Sequence, residues 1–255
     1  MLKPIAAAVL VAAALAQGAA AHEFVAAPSL ARVAAGAPLG VEVYSTHTLL
    51  KGDELEPTVI NRVRFVQGTT RTEVTLRGDE GRALQLGEAP APGAGTFIVS
   101  GHRLPLVFAT TPRGSMPGSK LDHADAIRAQ RTEKFSKALV NLSATDQDFA
   151  AVVGDRLEIV PTANPATLKV GDELPVRVLF EGQPLGVAVA ATYQGFTTRP
   201  ETYAYLTQAA ADGTAHVRIT APGLWVVRVE NRRMLQGNRE IDVDVTRATL
   251  VFHVN

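Results

Sequence analysis

The chain has 255 residues, no cysteine, and 25 basic residues balanced by 25 acidic ones. That balance gives no electrostatic case for binding nucleic acid or an anionic membrane. The absence of cysteine excludes a disulfide framework and thiolate metal ligands, so any metal site must use His, carboxylate, Met or backbone groups.

Residues 1–21 have the three parts of a secretory signal. Lys3 gives the positive start, Ile5 to Leu15 is apolar, and Ala19 and Ala21 are the small residues a signal peptidase needs. The apolar run is shorter than the roughly 20 residues that cross a bilayer. The expectation is cleavage after Ala21, with a cut after Ala20 as the competitor, and a periplasmic mature chain that begins His22-Glu23-Phe24.

The stretch that follows is expected to form an N-terminal β-sandwich over 22–119. Val41 to Thr46 is a partly alternating, β-branched strand ending at His47, and Val59 to Val66 and Thr72 to Leu76 read as two more. Arg82 to Leu86 is a short strand after a Gly-Asp-Glu-Gly turn. Thr96 to Ser100 runs into Gly101-His102-Arg103, and Leu104 to Thr110 extends it or pairs with it.

Residues 120–154 are expected to be a helix and a connector. Ser119 can cap a helix with Asp122 three residues on. Leu121, Ala124, Ile127, Phe135, Ala138, Leu139 and Leu142 fall mostly on one helical stripe, with Glu133 and Lys137 as an i,i+4 pair.

A second β-rich unit is expected over 155–255. Period-two runs occur at Leu174 to Phe180, Val187 to Tyr193, Ala215 to Ile219, Trp225 to Val229 and Leu250 to Val254. The fold class is therefore all-β, with two immunoglobulin-like or prealbumin-like sandwiches, one intervening α-helix and a cleaved signal peptide.

Six histidines carry most of the chemistry on offer. A terminal His22 could grip a divalent ion through its α-amine and imidazole together, against the plain alternative of a frayed terminus. Glu23 is expected to face solvent. His47 and His102 end strands of the same first domain, where loops gather ligands. The Asp53-Glu54-Leu55-Glu56 segment could lend a carboxylate near His47, although an exposed turn is the favoured reading. His123, His216 and His253 read as surface residues. Met116 and Met234 are a weak signal for copper(I). Nucleophile elbow, phosphate loop, dinucleotide fingerprint and His-Glu-x-x-His helix are all missing, so the chain is not read as an enzyme.

Several stretches resemble one family. They are His22-Glu23-Phe24, Ser45-Thr46-His47 with Gly52-Asp53-Glu54-Leu55-Glu56-Pro57, Gly101-His102-Arg103 with Thr110-Thr111-Pro112-Arg113-Gly114, and Arg131 to Leu139. Leu157 to Pro161 and Leu168 to Asp172 fit the same pattern. Together they resemble exported bacterial proteins with a domain of unknown function, often described as periplasmic accessory components of nickel uptake. The resemblance implies a β-sandwich that binds a divalent transition metal, nickel or cobalt favoured and copper or zinc open, through His22, His47 and His102. It also implies a membrane metal importer or outer-membrane receptor system as partner. A metal-free interaction module is the alternative, and copper-dependent oxidation at an N-terminal His ranks last.

Overall fold

A computed structural model describes residues 22–55 and 59–255, so the expected signal peptide lies outside the described residues. The described residues form seventeen strands. They are β1 (Glu23–Pro28), β2 (Pro38–Thr46), β3 (Ile60–Gln67), β4 (Thr70–Glu73), β5 (Thr75–Asp79) and β6 (Leu84–Pro90). Then come β7 (Phe97–Thr111), β8 (Gly114–Pro117), β9 (Arg128–Val140), β10 (Leu157–Pro161), β11 (Glu173–Phe180) and β12 (Gln183–Pro184). The last are β13 (Ala188–Tyr193), β14 (Tyr205–Gln208), β15 (Thr214–Arg218), β16 (Gly223–Met234) and β17 (Val243–Val254). The protein is nearly all-β. Its only helical turns among the described residues are two short 3₁₀ segments, Asp148–Ala150 and Pro165–Thr167.

A nine-stranded sheet runs β14-β13-β16-β17-β9-β7-β3-β4, with β8 paired to the end of β7. A four-stranded sheet, β1-β2-β6-β5, lies on one side of it, and a second small sheet, β10-β11-β12 with β15 beside β11, lies on the other. The two hydrophobic cores establish this layering. Phe135 and Leu139 pack with Leu157, Ile159 and Leu174, whereas Ala138 and Val140 pack with Phe24, Val25 and Leu39. Trp225 and Val227 belong to the first core and Val226 to the second. Successive side chains of a strand point to opposite faces, so the large sheet is the middle of three layers.

The strands expected before 119 and after 155 are therefore joined in one sheet. Its seam is the parallel pairing of β17 with β9, the one parallel pair in an otherwise antiparallel set among the described residues. A strand buried on both faces reads as a continuous apolar run, without clean alternation.

That burial corrects the expected helix. Residues 128–140 form β9, flanked by β7 and β17. Phe135, Ala138 and Leu139 mimic a helical stripe because both faces of the strand need apolar side chains. Glu133 and Lys137 do not pair with each other. Lys137 Nζ donates to Glu158 Oε1 of β10 at 2.6 Å and to the Ala151 carbonyl at 2.6 Å, with both charged side chains 2% exposed. Ser119 and Asp122 do meet, since the Ser119 N–H and hydroxyl both donate to Asp122 Oδ2. They close a turn instead of starting a helix, because the same local hydrogen bonds serve both.

Candidate metal centre

β1 and β2 pair antiparallel from Glu23↔Thr46 to Pro28↔Val41. Continuing that register by one residue sets His22 against His47. Their ring centroids are 4.0 Å apart and the planes are tilted by 46°. The start of the described chain is not frayed. Ser136 Oγ accepts from Ala26 N–H, Thr249 Oγ1 donates to the Phe24 carbonyl at 2.8 Å, and Arg247 donates to the His22 carbonyl at 3.3 Å. These bonds tie β1 to β9 and β17 of the middle layer.

The segment after His47 turns back onto it. Asp53 N–H donates to the Ser45 carbonyl, and Ser45 forms an isolated bridge with Glu54. Asp53 Oδ2 then accepts from the His47 N–H at 2.6 Å and lies 3.2 Å from His47 Nδ1. Glu54 Oε2 lies 3.3 Å from His22 Nδ1. The expected exposed turn thus gives a carboxylate to each histidine. Asp53 keeps considerable exposure, but its oxygen is engaged.

One donor atom from each of His22, His47 and Asp53 lies within 4.8 Å of the other two. Donors about 2.0–2.2 Å from a common ion stand at most about 4.4 Å apart. A small closure of these side chains would let them share an ion. Two imidazoles and a carboxylate form a donor set that suits divalent transition metals. A carboxylate on one ring nitrogen also fixes the ring and raises the basicity of the other.

His102 is not brought to this group, which corrects the expected three-histidine set. It stacks on Phe135 with ring centroids 4.7 Å apart and planes 1° from parallel. Its Nε2 lies 2.9 Å from Glu133 Oε1, and its Nδ1 lies 3.2 Å from Asn61 Nδ2. The reason is strand parity. A side chain on the neighbouring Gly101 would meet Phe24 of β1, so His102 faces the other side of the sheet. Burial pushes the His102 imidazole below its ordinary value, against the opposing pull of Glu133.

The other histidines are scattered. His123 Nε2 contacts the Pro117 carbonyl at 2.8 Å, and His216 lies exposed 3.8 Å from Glu173. Glu23, expected in solvent, is held by Arg228 at 2.7 Å and by Arg247 at 3.7 Å. The sequence reading also missed the segment between β13 and β14. Its Glu201 N–H donates to the His47 carbonyl at 3.1 Å, closing a pocket beside that histidine. The non-glycine positive φ of Glu201, +50°, marks how sharply this segment turns.

Fold and site together define a layered β-sandwich protein with a His-His-Asp cluster at the open end of two paired strands. Residues 19–233 match the family described as "Domain of unknown function (DUF4198)", and the chain belongs to that family. No curated protein matches the sequence. Among solved structures, the chain is similar to the D0-D1 domain of Intimin, at 14% identity over 91% of this chain and 98% of that one, TM-score 0.23. It is also similar to the Yersinia pseudotuberculosis adhesin InvE, at 13% identity over 93% of this chain and 61% of that one, TM-score 0.22. Scores this low transfer neither a site nor an activity.

Proposed function

We propose that this is an exported, non-enzymatic protein that holds one divalent transition-metal ion between His22, His47 and Asp53 and supports its delivery to a membrane importer. The observation that carries the reading is the cross-strand approach of His22 to His47 with Asp53 in reach of both. A chain cut after Ala21 would add the His22 α-amine, whose ordinary pKa of about 8 allows it to coordinate near neutral pH. Amine and imidazole of one residue then close a chelate ring, with His47 opposite and Asp53 completing the set.

Nickel and cobalt are favoured by the family resemblance. Cu²⁺ is expected to bind most tightly in a tube, because the Irving–Williams order favours it at almost any nitrogen site. Titration calorimetry of the mature chain should give one ion per chain. Adding one glycine before His22 moves the amine away and should weaken binding at least about tenfold, or about 1.4 kcal/mol. Equal binding by both forms removes the amine from the site. No binding by either leaves the metal-free interaction module as the reading.

A further inference from the structure

Asp53 has an acidic neighbour, Glu54, in the segment that folds back on His47, and Glu54 lies outside the three-ligand set. The backbone fixes its position. Gly52 packs so closely on the turn between β5 and β6 that a Cβ there would lie 2.3 Å from the Ala83 carbonyl oxygen and 2.4 Å from that of Arg82. Asp53 N–H then donates to the Ser45 carbonyl at 3.0 Å. Glu54 bridges Ser45 beyond Val43, where the pairing of β2 with β6 ends.

Strand parity sets the direction of the Glu54 side chain. Residues opposite one another in neighbouring strands share a face, and so do residues two apart along one strand. Phe24, Ser45 and Glu54 lie in one such row, and His22 and His47 stand two residues from Phe24 and Ser45. Glu54 therefore emerges on the face of both imidazoles. Its Oε2 lies 3.3 Å from His22 Nδ1, as Asp53 Oδ2 lies 3.2 Å from His47 Nδ1. Two donors about 2.0–2.2 Å from one ion stand about 2.8–3.6 Å apart when they are neighbours around it. Both carboxylate–imidazole pairs have that spacing. The Glu54 side chain is 53% exposed, so it can follow an ion into the cluster without moving buried groups.

We propose that Glu54 is a further ligand of the ion and the residue that sets the metal preference of the site. The proposal rests on the metal reading above. Glu54 adds a second carboxylate to the His22 amine, the two imidazoles and Asp53, and one position is left for water. Such a shell suits ions that accept six ligands, Co²⁺ among them. Cu²⁺ prefers a square or tetragonal set, which the amine, the imidazoles and Asp53 already supply. Glu54 thus adds affinity for the six-coordinate ion and almost none for Cu²⁺. It narrows the lead that Cu²⁺ holds at a nitrogen-rich site.

The test is competition titration of the mature protein with Co²⁺ and, separately, with Cu²⁺. Glu54→Gln keeps the size of an exposed side chain, and circular dichroism checks its fold. It should weaken Co²⁺ binding by at least about tenfold and leave Cu²⁺ within about threefold. In a crystal soaked with Co²⁺, a Glu54 oxygen should lie about 2.0–2.2 Å from the ion, the range carboxylates keep to zinc. Equal losses for the two ions would make Glu54 only a holder of the His22 ring and overturn the proposal. Unchanged affinity for both ions, or an ion seated between His22 and His47 without Glu54, also overturns it and leaves the metal site standing. No binding of either ion by the unsubstituted protein overturns both readings.

Discussion

Gly101 and Phe24 are in a contact that admits no side chain between them. A Cβ on Gly101 would lie 3.0 Å from Phe24 Cε1 and 3.2 Å from Cζ. The Phe24 ring is 2% exposed and anchors β1 two residues from His22. A glycine of the middle sheet therefore helps position the histidine of the outer one. Gly101→Val should cost about 1–3 kcal/mol by overpacking. It should also weaken metal binding, although Gly101 touches no ligand. Urea unfolding and calorimetry on the same preparation check both effects.

The ligand assignment separates three histidines that look alike in sequence. His22→Ala and His47→Ala should abolish one-to-one binding of Ni²⁺ or Cu²⁺. Asp53→Asn should weaken it by at least about tenfold, because a neutral amide replaces a charged oxygen ligand that also holds His47. His102→Gln should leave the stoichiometry unchanged, since His102 is engaged by Glu133 and Phe135 on the other face of the sheet.

Lys137 and Glu158 join the middle layer to the small sheet through a buried charge pair. Lys137→Met removes one partner and leaves a carboxylate stranded, at a cost of about 3–5 kcal/mol. The double replacement Lys137→Met with Glu158→Leu should recover only part of this. Glu158 also accepts from the Val153 and Gly154 N–H groups, which the double variant leaves unpaired. Denaturant midpoints of the singles and the double measure the difference.

Asp155 sets a pH dependence. Burial, with Glu158 nearby, pushes its carboxyl up to about 7, although Arg62 lies 2.9 Å away and pulls the other way. Between about pH 4 and pH 7 the unfolded chain has released this proton while the folded chain retains it. Its contribution to stability is therefore full below about pH 4 and is lost as pH rises through about 7, by about 1.4 kcal/mol for each pH unit of that window. Asp155→Asn cannot lose the proton. Relative to the unsubstituted protein, this variant should gain stability as pH is raised from 5 to 8, and urea midpoints at the two values test the sign.

The legible parts of the sequence were the strands with one wet face. Leu174 to Phe180 and Ala215 to Ile219 alternate because each buries alternate residues in the core around Trp225. β9 was illegible for the opposite reason. With covers on both faces, its apolar residues lose the period of two, and the charges that break the run, Glu133 and Lys137, are paired with partners distant in the chain. Within the site, His47 and the carboxylates after it could be read locally. The face of His102 could not, because it depends on whether Gly101 packs inward, and that is set by Phe24 about 80 residues away in sequence. The segment carrying Arg199 and Glu201 showed no motif at all. Its place beside His47 follows from joining the two halves in one sheet.

The most direct test of the metal centre is a crystal structure of the mature chain soaked in Ni²⁺ or Zn²⁺, read by anomalous scattering. The expected result is one strong peak between His22 and His47, about 2.0–2.1 Å from a nitrogen of each, the distance zinc keeps to imidazole, with Asp53 on the same ion. A peak at His102 and none between His22 and His47 would contradict it.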